Sequence, residues 1–226
     1  NGYVQGKSTD YNRDVALDVV QLLAFLQATN PEAVDTLELE AEGIKRTQFL
    51  HRLQGEITKR GVVDVLRKGV SHGPEHVDLY KLLPTPGNAA AADAFGKNIF
   101  SVTRQVHYSE SDTFKSVDMV LFVNGLAIAT LELKNPWTGQ NVHNAIKQYR
   151  TDRDPREPLF EFGRCLVHLA VDPDEAYMCA QLAGNDSNFL PFNKGFNFGK
   201  GNPVNPKGHK TAYLWEDILP RRSLTN

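Results

Sequence analysis

The residues of this chain best suited to chemistry lie between Asp118 and Lys134, in the stretch DMVLFVNGLAIATLELK. An acidic residue opens one apolar run, Asn124-Gly125 marks a turn, and a second apolar run ends in Glu132-Leu133-Lys134. Two carboxylates and a lysine on adjacent strands suit the hydrolysis of a phosphodiester. Carboxylates are hard oxygen ligands that hold Mg²⁺ while leaving most of its octahedral shell to water and substrate, and the ion neutralises charge growing on the phosphate oxygens. Asp118 and Glu132 are the candidate metal-ligating side chains, with the backbone carbonyl of Leu133 as a third ligand. Lys134 is the group that would orient the attacking water and balance charge in the transition state. Glu-x-Lys alone is weak evidence, because a solvated strand end commonly carries both residues. The chemical reading gains from position: Asp118 and Glu132 stand where apolar runs terminate, at the expected rim of a core.

The supporting strands must place these groups on one face. Alternation puts Glu132 and Lys134 together. A two-residue type I′ loop at Asn124-Gly125 pairs Val123 with Leu126 and Asp118 with Leu131, which puts Asp118 on the opposite face from Glu132. A three-residue loop, with Gly125 left-handed in a G1 bulge, pairs Phe122 with Leu126 and Asp118 with Thr130, so all three polar groups share a face. The sequence therefore predicts that bulge, or an equivalent irregularity at Asp118.

Around the hairpin, apolar residues at Val15, Val19, Leu22, Leu23 and Leu26 predict a helix within 12–28, blocked by Pro31. A second helix is expected over 44–59, with Gly61 as its cap. Short strands are expected at 62–66 and 77–82, then a turn at Pro84, Pro86 and Gly87 and a short alanine-rich helix. Residues 98–108 alternate as a half-buried strand. After the interruption at Pro136, Trp137 and Gly139, residues 142–151 read as a helix carrying Gln148 and Arg150, with Arg153 just beyond. The apolar run 165–171 reads as a strand covered on both faces, with 176–182 as its neighbour. This order predicts an α/β (α+β) fold, a mixed central β-sheet flanked by helices.

Composition narrows the setting. The 226 residues suffice for one sizeable domain. No apolar run approaches the roughly 20 residues of a membrane span, and no signal-peptide pattern opens the sequence, so a cytoplasmic protein without a membrane partner is expected. Cys165 and Cys179 lack a nearby Cys/His constellation and read as buried reduced thiols. Among seven histidines only His72 and His76 have helical zinc spacing, in a segment not expected to be helical. The glycines and lysines of 194–210 never form Gly-x-x-x-x-Gly-Lys-Ser/Thr, so they are no phosphate-binding loop. A formal net charge of −2 argues against a free-standing DNA binder, because duplex affinity comes largely from neutralising phosphates.

Asp118, Glu132-Leu133-Lys134 and a following helix bearing Gln148 resemble the PD-(D/E)xK nuclease core. The stretches NGLAIATLELKNPWTGQ, AIKQYRTDRDP, RCLVHLAVD, NFLPFNKGFNFGKGNPVNPKG and KTAYLWEDIL, with RGVVDVLRKGV and FSVTRQVHYS upstream, resemble the amino-terminal part of the restriction (R) subunit of type I restriction-modification enzymes. The resemblance runs over nearly all of the chain from Tyr11 onward. It implies a Mg²⁺-dependent DNA endonuclease domain with Asp118, Glu132, Lys134 and Gln148 as catalytic residues and Asp118, Glu132 and Leu133 as metal ligands. It divides the chain into a nuclease domain with an N-terminal helical elaboration (1–190) and a connector (191–226) toward a helicase-like motor.

By the same resemblance, ATP serves only that motor in the full-length subunit. Double-stranded DNA and the specificity and methyltransferase subunits are the implied partners, with cutting that reads no base sequence and follows translocation. Family members commonly carry glutamine and tyrosine four positions apart on this helix. Here Gln148 is followed at that distance by Asp152, and Tyr149, about 100° around the helix, is expected to pack it against the sheet. The pattern gives no catalytic role to Arg150 or Arg153. The rival expectation is a non-catalytic nuclease-like module that docks the motor on the methyltransferase core.

Overall fold

A computed structural model of the chain describes residues 2–225. In chain order the strands are β1 (Val4–Gln5), β2 (Tyr11–Asn12), β3 (Leu17–Asp18), β4 (Val70–His72), β5 (Glu75–Val77), β6 (Phe100–His107), β7 (Ser116–Val123), β8 (Leu126–Leu133), β9 (Val167–Val171), β10 (Ala176–Cys179) and β11 (Leu190–Pro191). The α-helices are α1 (Val19–Thr29), α2 (Pro31–Thr36), α3 (Ile44–Arg60), α4 (Val62–Lys68), α5 (Ala89–Gly96), α6 (Val142–Thr151) and the short α7 (Arg221–Leu224). The main sheet runs β1-β6-β7-β8-β9-β10-β11, with β2 and β3 attached through β8. It is mixed: β1 lies parallel to β6 and β8 to β9, and the remaining pairs are antiparallel.

The two sheet faces are covered by different helices. On one, Leu22, Phe25, Phe49, Leu53, Ile57 and Val65 of α1, α3 and α4 bury Leu121, Val123, Leu126, Ile128, Leu131 and Leu169. On the other, Val142, Ala145, Ile146 and Tyr149 of α6 cover Val120, Phe122, Ala127 and Ala170. The α/β fold with a mixed sheet and flanking helices is the one its element order predicts, and it has the layout of a nuclease-like core. The helix before the sheet is shorter than its periodicity suggests. Residues 11–12 and 17–18 pair as strands, and Asp18 starts α1 only at Val19 by accepting the Gln21 amide, 3.0 Å. Pro31 does end α1, but at the first position of a new helix its missing N–H costs nothing, and α2 begins there.

Residues 62–68 correct a predicted strand. The run VVDVL has strand composition, yet it forms α4, bracketed by Gly61 (φ 81°) and Gly69 (φ 64°). Val62 and Val65 share the buried face, three positions apart. Asp64 pairs one turn away with both Arg60 (2.7 Å) and Lys68 (2.5 Å), so side-chain neighbours at helical spacing override β-branching. Of the expected strand at 77–82, only Val77 is paired, at the end of β5.

The β7–β8 hairpin corrects the predicted loop. Val123 pairs with Leu126 across a two-residue turn in which Asn124 (φ 50°) and Gly125 (φ 81°) are both left-handed. Asn124 is fully buried and locked: its side chain accepts the Ile99 amide at 2.7 Å and donates to Leu79 O and Asn98 Oδ1. A Cβ on Gly125 would lie 2.4 Å from Asp18 O and 2.7 Å from the Leu22 backbone, so α1 holds the turn closed. The required irregularity lies within the strands instead. Phe122 pairs with Ala127 but Leu121 with Ala129, which leaves Ile128 as the extra residue of a bulge whose carbonyl accepts the Leu166 amide, 2.8 Å. That single insertion turns Thr130, Glu132 and Lys134 to the α6 face, and continuing the register beyond Met119–Leu131 sets Glu132 opposite Asp118.

Within the expected connector (191–226), the described residues fold back on the sheet. Thr211 Oγ1 donates to Asp172 O at 2.8 Å, Lys210 pairs with Asp174 at 2.8 Å, and the Tyr3 hydroxyl reaches Leu219 O at 2.8 Å. Cys165 and Cys179 are buried free thiols. Among the described residues no helix is long and apolar enough to cross a membrane.

Candidate active site

The bulge in β8 brings four of the residues singled out in the sequence together at one end of the sheet. Asp118, two residues into β7, accepts the Leu133 amide on Oδ2 at 2.8 Å. In an antiparallel strand the amide and carbonyl of one residue face the same neighbour, so the Leu133 carbonyl lies on the Asp118 side. Lys134 Nζ donates to Gln148 Oε1 on α6 at 2.5 Å. Tyr149, the next residue on that helix, is fully buried, and its hydroxyl shares Thr130 Oγ1 with His168, each at 2.8 Å. That network seats α6 on the sheet and thereby sets the height of Gln148. His168 is a satisfied core histidine, and burial lowers its pKa to about 4.

Glu132 is not a rim charge. Its side chain is fully buried and ion-paired with Arg153, which is 4 % exposed. The guanidinium meets Glu132 Oε1 through Nη2 at 2.6 Å and Nε at 2.8 Å, and also donates to Tyr108 Oη (3.2 Å) and to Ser116 O at the start of β7 (2.8 Å). Burial pushes the Glu132 carboxyl up to about 7. Arg153 and Lys134 oppose that rise, and the neighbouring charge of Asp118 adds to it. The Arg153 guanidinium is itself held charged, its desolvation outweighed by Glu132 and Tyr108.

Two participants have no role in the sequence reading, which places Arg153 beyond a helix without a function and does not single out Gln105. Arg153 lies beyond the end of α6, and only the tertiary fold aims it at Glu132. Gln105 is the other. Between Arg104–Met119 and Val106–Val117 in the β6–β7 ladder it stands across from Asp118 in a left-handed conformation (φ 49°). Its amide donates to Asp118 Oδ1 at 3.1 Å and its carbonyl accepts from Ser116 Oγ at 3.0 Å. A non-glycine residue held at positive φ beside an acid is local strain of the kind that gathers at functional sites.

The donor set is two carboxylates and one main-chain carbonyl. No cluster of three or more His, Cys, Asp or Glu residues suited to a metal occurs among the described residues. Mg²⁺ needs no such cluster, since it binds through one or two carboxylates and fills its octahedron with water and phosphate. Glu132 Oε2 is buried without a hydrogen-bond partner, which is costly for a carboxylate oxygen until a cation or proton meets it. The residues present therefore fit a hard divalent ion. The site lies at the end of the central strands β7 and β8, and a recess of about 580 Å³ lined by Phe95, Pro220 and Arg221 adjoins Phe100 at the far end of β6.

A mixed sheet whose central hairpin presents two acids and a lysine toward a following helix defines the class of nuclease-like α/β proteins. The chain belongs to the family described as the type I restriction enzyme R protein N terminus, whose model matches residues 8–187. It is also 32% identical over 74 residues to a Methanocaldococcus jannaschii protein provisionally named type I restriction enzyme MjaIXP endonuclease subunit. That match spans 31% of this chain and 7% of the relative.

Proposed function

We propose that this chain is a Mg²⁺-dependent PD-(D/E)xK endonuclease domain of a type I restriction enzyme R subunit. In this reading it hydrolyses DNA backbone phosphodiesters without reading bases, after a motor elsewhere in the subunit has moved the DNA. The observation that carries the reading is the β8 bulge, which sets Asp118, Glu132 and Lys134 on one face together with a carboxylate oxygen that has no partner. A bound Mg²⁺ would supply charge neutralisation at the phosphate and a more acidic water. Asp118, Glu132 and the Leu133 carbonyl would hold it, and Lys134 would position the water and meet developing charge. Gln148 accepts from the lysine ammonium and so fixes where it points. Arg153 opposes the rise that burial imposes on the Glu132 carboxyl and holds it in one orientation, a positioning role.

A formal charge of −2 fits a domain to which DNA is delivered by other parts of an assembly, with ATP, the specificity subunit and the methyltransferase subunit belonging to that assembly. Cytoplasmic residence belongs to the same reading. The docking-module alternative needs no unpartnered carboxylate oxygen, and so the site favours catalysis.

The test is nicking of supercoiled plasmid by the chain at low salt with Mg²⁺ or Mn²⁺, beside its Asp118→Asn variant. Activity that needs the metal and disappears in the variant supports the reading; equal activity in both rejects it. The pH profile is a second check. Glu132 acts as a ligand only when ionised and its carboxyl sits near 7, so activity at limiting Mg²⁺ should rise with pH through about 7. Saturating Mg²⁺ should shift that limb to lower pH, because cation and proton compete for one oxygen. A limb that ignores Mg²⁺ concentration would remove Glu132 from the metal set.

A further inference from the structure

Two large aromatic side chains stand almost fully in solvent beside the catalytic strands. Phe114 is 91 % exposed, four residues before Asp118; Trp137 is 92 % exposed, three residues after Lys134. Because β7 and β8 are antiparallel neighbours, the start of one and the end of the other lie at the same end of the sheet, so the turns carrying the two rings both adjoin the end that holds the site. Neither lies on a slack loop. The Phe114 amide is held by Asp112 Oδ1 at 3.1 Å, the Lys115 amide by Asp112 O at 3.1 Å, and Thr113 O by His107 Nδ1 at 2.8 Å. The Trp137 amide is held by Asn135 Oδ1 at 3.0 Å, and Thr138 Oγ1 closes the same turn on Asn135 O at 2.7 Å. Phe198 is also exposed, but it belongs to the 195–201 turn and is joined to neither catalytic strand.

Singly exposed apolar residues are common on folded chains; these two differ in that both are rings held in capped turns that adjoin the candidate site in sequence, which leaves their faces open to a ligand there. Beside a phosphodiester site the matching chemistry is the flat face of a nucleobase. An intact duplex hides those faces within its own stack; a single or unstacked strand exposes them. The chain also has little charge for backbone binding. Its net charge is −2, and at the site the Arg153 charge is taken up by Glu132. Stacking would supply affinity that charge does not. The geometry points to Phe114 and Trp137 as a pair of base-stacking platforms flanking the scissile phosphate, so that the preferred substrate is single-stranded or locally unstacked DNA. This inference rests on the nuclease reading for its location and deepens it in naming the state of the DNA.

Trp137 and Trp215 are the two tryptophans, so Trp215→Phe leaves Trp137 as sole reporter. With Ca²⁺ in place of Mg²⁺, this variant is titrated with oligodeoxythymidylate and with a blunt duplex of equal length. Quenching of Trp137 by the single strand, at lower concentration than the duplex requires and persisting at raised salt, is expected. By anisotropy of a labelled oligonucleotide, Trp137→Ala and Phe114→Ala should each weaken single-strand binding on the order of tenfold, with unchanged melting temperature. Unmoved emission, equal affinity for duplex, or alanine variants that bind like the parent would each overturn the inference. The nuclease reading fails separately: a chain that stacks bases but never nicks plasmid loses the activity and keeps the platforms, and one that nicks duplex with silent Trp137 does the reverse.

Discussion

Lys134→Ala should lower metal-dependent nicking by about 10²- to 10³-fold, the usual effect of removing one group aimed at developing transition-state charge, while the protein melts as before. Lys134 is half-buried, and it donates to Gln148 Oε1, itself partly exposed, so its loss should cost well under about 1 kcal/mol, a melting shift of no more than a few degrees for a chain of this size. This substitution separates chemistry from folding better than any change at Glu132. Replacing Glu132 with alanine would strand the buried Arg153 guanidinium, so lost activity there would mix two causes. The measurement is initial nicking rate beside a calorimetric scan of the same samples. Wild-type cutting by Lys134→Ala would exclude the lysine from the reaction, and cutting lost together with a large fall in melting temperature would show that it is structural.

That separation depends on features the sequence disclosed only in part. The position of the turn at Asn124-Gly125, the strand read over 165–171 and the helix 142–151 carry local signals that their surroundings reinforce; the strand forms two residues shorter, at Val167–Val171, and the helix forms over the residues its pattern predicts. Helix 62–68 was hidden because valine-rich composition describes side-chain shape, whereas the outcome depended on glycines at both ends and on Asp64 reaching Arg60 and Lys68. The face-sharing of Asp118 with Glu132 was legible as a necessity, since acids on opposite faces build nothing. Its mechanism was not legible. A closed turn locked by buried Asn124 forbids the wide loop, and the extra residue then falls at Ile128, where the chain leading into β9 takes up the free carbonyl. Arg153 was least visible. An acid ending an apolar strand asks for a counter-charge, but nothing local says that a residue 21 positions later will supply it.

Arg153→Ala is expected to destabilise the protein by about 3–5 kcal/mol at pH 8, the usual result of leaving one member of a buried ion pair alone. For 226 residues that corresponds to a melting temperature lower by roughly 6–20 °C. The variant also removes the bonds that Tyr108 Oη and Ser116 O accept, although the Tyr108 hydroxyl still donates to Asp152 O, so part of the loss is hydrogen bonding. The ionic part has a pH signature. Burial already holds the Glu132 carboxyl near 7, above its ordinary 4.5, so ionised Glu132 costs stability as pH rises through 7, and Arg153 offsets that cost. Without the arginine the carboxyl moves higher still and takes a proton sooner. The deficit relative to wild type should therefore be largest at pH 8 and shrink toward pH 5.5, where Glu132 is neutral in both proteins. Differential scanning calorimetry across that range decides it: a deficit constant with pH would mean Arg153 acts only as a hydrogen-bond donor. The paired change Glu132→Leu with Arg153→Met should regain most of the lost stability, because two matched apolar side chains need no counter-charge, and should remain unable to cut. Recovery of fold without recovery of activity would show that this ion pair is kept for the carboxylate it positions and not for the stability it adds.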